Sequence, residues 1–209
     1  MKWWGRLCCT PPTETHFIFR TGECDQHSTG WEAAMSDRRT ELGFERTVCD
    51  CGACKINCKF IPGFLLPSDI SRIAEHLGYS NPVEFALDNL LASPGAIVMD
   101  HGQIRQIRTL TPARRQDGAC LFLDEEDRCR IHNVSPYGCS HFDAHQTKEE
   151  ADLRSNAGHY QVDLAWKNDH LYARLWLLLK TLGRVAPSPV VSRARMRAAI
   201  DQIKTSGDM

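Results

Sequence analysis

The chain has no long apolar run. Its longest, Leu175 to Leu179 with Trp176 inside it, is far shorter than the roughly 20 residues a membrane-spanning helix needs. It also lacks a strong charge of either sign. A net charge of -1 over 209 residues argues against nucleic acid or an anionic membrane as partner, and leaves a protein partner open. Met1 to Thr10 holds no sustained apolar stretch and no small-residue cleavage site, so a secretory signal is not read there and a cytoplasmic location is expected. Internal repeats and low-complexity runs are missing. So are a GxGxG-type nucleotide loop, an HExxH pair and a GxSxG turn, and with them the usual marks of a reaction class. Whether the chain is an enzyme stays open.

What the chain does have is cysteine: ten in all. Seven form two tight groups. The first is Cys49, Cys51, Cys54 and Cys58, with Gly52 inside its tightest turn. The second is Cys120, Cys129 and Cys139, with His132 and His141 close by. In a reducing compartment, clustered cysteines bind metal or do redox work more often than they form structural disulfides. The ordinary alternative is a set of small buried hydrophobes, but four thiols in ten residues with few core neighbours do not fit it. Thiolates at these spacings suit zinc or an iron–sulfur cluster, each taking four ligands. Seven thiols exceed one such site, and seven plus one histidine fill two. His141 is the best eighth donor, because an extended Cys139-Ser140-His141 puts both side chains on one side. His132, three residues after Cys129, comes next. For either histidine the competing reading is a surface or hydrogen-bonded core residue.

The expected fold class is α+β: a small cysteine-cluster domain with short β-hairpins and surrounding helices. Residues 1–45 mix proline, glycine and polar residues without apolar period and read as a flexible extension. Met35 is a plausible natural start, which would make Cys8, Cys9 and Cys24 extraneous. The cysteine domain is expected over 46–186, and a basic helical tail with Arg193, Arg195 and Arg197 over 187–209. Within the domain, Cys49 to Pro62 reads as a loop. Ser68 is expected to cap a helix that ends at Gly78. A second helix is expected from Asn81-Pro82 to Ser93-Pro94-Gly95. Asp100-His101-Gly102 marks a hairpin, and a second hairpin would set Cys120 beside Cys129. From Lys148 onward one amphipathic helix is expected to run to Gly183.

Ordered blocks of residues carry a family resemblance. Cys51-Gly52-Ala53-Cys54 is followed by Leu66-Pro67-Ser68-Asp69-Ile70 and Ala74-Glu75-His76-Leu77-Gly78. Later come Gly118-Ala119-Cys120-Leu121-Phe122-Leu123, Arg128-Cys129-Arg130-Ile131-His132 and Pro136-Tyr137-Gly138-Cys139. This series resembles the CxxCxxCC zinc- or iron-chelating family, often called YkgJ-type cysteine-cluster proteins, over about residues 48–143. The resemblance implies a small intracellular metal-binding domain. The cysteine cluster also looks similar to that of enzymes that lysine-methylate flagellin, which are associated with an iron–sulfur centre. The first block departs from the family pattern. Cys49 stands two residues before Cys51 rather than three, and the adjacent pair after Cys54 is missing, since Lys55 takes that place and Cys58 comes three residues later.

Three functions compete on this reading. One is a metal-binding protein holding an iron–sulfur cluster (four-iron favoured) or zinc, with a redox, sensing or cofactor-handling role. The second is a metal-dependent enzyme related to protein lysine methylation. The third is a structural-zinc interaction module with Arg105, Arg108, Arg114 and Arg115 as its working surface.

Overall fold

The computed structural model describes residues 39–47, 49, 51–100, 103–187 and 197–198. The expected extension up to residue 38, with Cys8, Cys9 and Cys24, lies outside them, as does nearly all of the expected basic tail. The described part is α+β, with six α-helices and two antiparallel two-stranded sheets.

The chain enters through a short hairpin, β1 (Thr40–Glu41) and β2 (Phe44–Glu45). These residues were expected to be flexible because they lack an apolar period. They are held by polar contacts that periodicity cannot register. Arg39 Nη2 donates to the Ser135 carbonyl at 2.8 Å and to Ser140 Oγ at 2.5 Å, and Thr47 N–H donates to the Ser140 carbonyl at 2.7 Å.

The cysteine segment is a helix, α1 (Gly52–Phe60), not a loop. Nine residues are marginal as an isolated helix, and α1 buries no residue fully. Its last turn is pinned instead. The Lys59 carbonyl accepts from Cys120 N–H at 3.0 Å, the Phe60 carbonyl accepts from Arg114 Nη1 at 2.5 Å, and Lys59 Nζ pairs with Asp127 at 2.7 Å. Carbonyls that a helix end leaves unpaired are satisfied in this way.

Helix α2 (Pro67–His76) faces the core with Ile70, Ile73 and Ala74, and Gly78 follows its end at φ +79°. Ser68 is not its cap. Leu66 holds that position, and the Asp69 carboxylate takes the Leu66 N–H at 2.7 Å. Helix α3 (Pro82–Asn89) is capped by Asn81, as its sequence suggests, but it stops four residues early. Leu90 and Leu91 open strand β3 (Leu90–Asp100), which pairs with β4 (Gln103–Pro112) around the expected hairpin turn. Ser93-Pro94-Gly95 forms a bulge in that ladder. A Cβ on Gly95 would lie 1.8 Å from the Ile107 carbonyl oxygen, so the bulge needs glycine.

The stretch from Cys120 to Cys129 is mostly turns. Leu123 bridges Cys129, while Cys120 bridges Arg114 rather than Cys129. A 3-10 turn (His132–Val134) and the four-residue helix α4 (Tyr137–Ser140) follow. The expected long helix is two: α5 (Lys148–Lys167) and α6 (Leu171–Thr181). Asp169 at φ +46° breaks them and His170 caps α6. The core lies where α2, α3, α5 and α6 meet the β3–β4 hairpin. At its centre the Tyr172 hydroxyl accepts from Leu110 N–H at 2.7 Å and donates to the Leu65 carbonyl at 2.9 Å. Among the described residues no helix is long and apolar enough to cross a membrane.

Candidate metal centre

Cys51 occupies the cap position of α1, with extended backbone, and Cys54 sits in the first turn. Cys49 precedes them by two residues. The loop after α4 folds back over this end of α1. Its Ala144 N–H donates to Cys54 Sγ at 3.3 Å, and His145 Nε2 lies 3.2 Å from Cys51 Sγ. Asp143 Oδ1 holds the loop by accepting from the His145 and Gln146 N–H groups at 2.8 and 3.0 Å. The result is an outer donor set: ligand atoms of Cys49, Cys51, Cys54 and His145 all lie within 4.8 Å of one another. Three thiols and an imidazole on one point match the chemistry of a tetrahedral site.

The thiols of this set are not equivalent. The Cys54 backbone N–H, and after it His145, holds Cys51 down to about 6. Burial pushes Cys54 up to about 11. The Cys51 contact raises His145 in return.

The other four cysteines face a different neighbourhood. Cys58 lies one helical turn beyond Cys54, and the hydrogen bond from Cys120 N–H to Lys59 sets Cys120 beside it. Cys139 arrives through a backbone contact that only glycine allows. A Cβ on Gly63 would lie 1.9 Å from the Gly138 carbonyl carbon, and one on Gly138 would lie 2.3 Å from Phe64 N. Across this contact Gly138 N–H donates to the Phe64 carbonyl at 2.9 Å, and Gly63 N–H donates to Cys139 Sγ at 3.1 Å. The Cys58 and Cys139 thiols hydrogen-bond to each other, which lowers Cys58 and raises Cys139. Burial pushes Cys120 and Cys129 up to about 12 and about 11, and the nearby Cys58 acts in the same direction. Cys120 belongs to the core, and Cys58 and Cys129 pack against it. A cavity of about 270 Å³ joins the two sets, lined by Cys49 and Cys54 from the outer one and by Cys58, Cys129 and Cys139 from the inner one.

The histidines fall out differently from the sequence reading. His141 is fully buried. It stacks on Tyr137 at 4.5 Å and shares a 2.9 Å hydrogen bond with Ser140 Oγ. Burial, and next the Arg39 charge, lowers it to about 4. A donor role for His141 beside Cys139 needs an extended Cys139-Ser140-His141, but Cys139 and Ser140 are helical and His141 follows at the end of α4. His132 lines the cavity near Cys129. His145 went unread. Its only sequence signal is position, four residues past His141 behind an aspartate that can set a turn.

The four arginines named as a possible working surface are each engaged in the fold. Arg105 pairs with Asp163 at 2.6 Å, and Arg108 lies over the Trp166 and Trp176 rings at 5.4 and 5.2 Å. Arg114 holds the Phe60 carbonyl and Arg115 the Leu123 carbonyl.

A small α+β domain that gathers thiols and an imidazole in this way is, by its donor chemistry, a metal-binding domain. The chain belongs to the CxxCxxCC family, described as a "putative zinc- or iron-chelating domain". The family model matches residues 48–158, more than half of the 209-residue chain. Neither the comparison with curated proteins nor that with solved structures gives a match.

Proposed function

We propose that the domain binds metal through two donor sets: an outer one of Cys49, Cys51, Cys54 and His145, and an inner one of Cys58, Cys120, Cys129 and Cys139. The observation that carries this reading is the convergence of the four outer ligand atoms within 4.8 Å. Three sulfurs and one imidazole nitrogen form a common donor set for zinc. His145 takes the place that the sequence reading offered to His141. The inner set is all sulfur and suits zinc equally. A four-iron cluster in the inner set is the second reading, favoured by the cavity of about 270 Å³ beside Cys58, Cys129 and Cys139. A cluster needs such space and a single ion does not. The role that follows is redox or sensing, since half the donors stand near the surface.

The test is anaerobic purification, followed by measurement of zinc, iron, sulfide and the visible spectrum. Two zinc per chain and no colour support the first reading. Iron and sulfide with absorption near about 400 nm support the second. Folded protein that takes up neither metal refutes both.

A further inference from the structure

The outer set contains a spacing that suits metal and also admits a second chemistry. Cys51-Gly52-Ala53-Cys54 sits at the start of a helix, with Cys51 at the cap and Cys54 three residues on. Residues three apart share a helix face, and these two sulfurs already lie within 4.8 Å. A Cys-X-X-Cys pair at a helix N-terminus is the general architecture of reversible dithiol couples, because the backbone N–H groups there favour thiolate. Access agrees with this. Cys49 is exposed and Cys51 and Cys54 are part-exposed, while among the inner thiols Cys120 is buried and Cys58, Cys129 and Cys139 are part-exposed. The inner thiols come from four separate pieces of chain; Cys58 and Cys139 are hydrogen-bonded to each other, and a disulfide mapped between them is the outcome that competes with the outer pair.

We propose that Cys51 and Cys54 form a reversible dithiol–disulfide couple that opens the outer metal site when a low-molecular-weight disulfide reaches it. This rests on the reading of Cys49, Cys51, Cys54 and His145 as a metal site. The Cys51 thiolate attacks one sulfur of the disulfide. That S–S bond breaks, a mixed disulfide forms on Cys51, and the first small thiolate leaves. The Cys54 thiolate then attacks Cys51 Sγ, forming the Cys51–Cys54 bond and expelling the second small thiolate. Two electrons pass from the protein pair to the oxidant, and the two sulfurs lose their charge. The outer set falls from four donors to Cys49 and His145, while the inner set keeps all four. Oxidation therefore empties one site and spares the other.

The experiment uses the full zinc-loaded chain and glutathione disulfide as probe. Released zinc is read with a chromophoric chelator, and disulfides are mapped by mass spectrometry of a digest. The expected result is release of one of two equivalents, a Cys51–Cys54 disulfide in the same sample, and recovery of the site after dithiothreitol and zinc. In Cys54→Ser the glutathione adduct on Cys51 should accumulate, because the resolving thiol is gone. Zinc retained under oxidant, both equivalents leaving together, or a disulfide mapped to Cys49 or to an inner cysteine overturns the switch and leaves the metal reading standing. A chain that takes up no zinc at all overturns the outer zinc site and the switch with it.

Discussion

The outer and inner donor sets share one helix and one cavity, yet they are built on opposite principles. The outer set is local. Cys49, Cys51 and Cys54 fall within six residues, and a single loop brings His145 to them. Little of the core depends on it. The inner set is global. Its four proposed donors come from α1, from two turns and from α4; the Gly63–Gly138 contact brings Cys139 to α1, and Cys120 lies in the core. The same chemical group thus behaves differently in the two places. Cys51, among backbone N–H and imidazole, is held down to about 6, while buried Cys120 is pushed up to about 12. The difference teaches that thiolate readiness here is set by surroundings and not by spacing. On the proposed reading, metal at the inner set would stabilise the thiolates of Cys120 and Cys129, which burial disfavours, and binding there would be coupled to folding.

The sharpest way to break the comparison is Gly138→Ala. The added Cβ meets main-chain atoms of Gly63 and Phe64 on both sides, so backbone must move. A loss of about 4 kcal/mol is expected from such strain in a packed region. Metal stoichiometry should fall by the inner equivalent while the outer one remains. Denaturant unfolding and metal analysis on the same sample check this, and full inner occupancy with unchanged stability would show that the glycine contact does not build the inner set.

A smaller effect comes from Asp69, which ties α2 to the turn carrying Cys139. Its carboxylate accepts from Leu66 N–H at 2.7 Å and Tyr137 N–H at 2.9 Å and pairs with Arg72. Burial nonetheless outweighs these partners and raises it from 3.8 to about 6. A carboxyl raised on folding stabilises most below its unfolded value, and that contribution is lost as pH rises through about 6. Two pKa units correspond to about 3 kcal/mol. Asp69→Asn keeps an acceptor for the two N–H groups and does not titrate. Wild type should therefore lose about 3 kcal/mol relative to the variant between pH 4 and pH 7. Unfolding curves across that range decide it, and a flat difference would mean that folding does not raise Asp69.

The smallest effect separates the two histidines. His141→Ala removes a buried stacked ring and should cost about 2 kcal/mol, with outer metal retained. His145→Ala removes an exposed ring and should leave stability within about 0.5 kcal/mol once chelator has been added, while weakening outer metal binding. Metal titration paired with thermal unfolding measures both. The opposite pattern would return the eighth-donor role to His141.

Much of the domain was legible in the residues. The α+β class, the β3–β4 turn, the Asn81 cap and the Gly78 stop follow from local rules that hold in any surroundings. Other features were misread because their causes are non-local. Helix α1 looked like a loop because its stabilising contacts come from Asp127, Arg114 and Cys120 rather than from an apolar face. The break between α5 and α6 hid behind a continuous leucine pattern, since Asp169 can adopt a positive φ without announcing it.

The metal chemistry lay in the sequence itself, because thiols crowded at two-to-four-residue spacings can reach a common point without distant help. Which thiols belong together was a matter for the tertiary structure. Cys54 and Cys58 are neighbours on one helix face, yet one turns to His145 and the other to Cys139. That division depends on where the chain returns some 80 to 90 residues later, and no local spacing encodes a return.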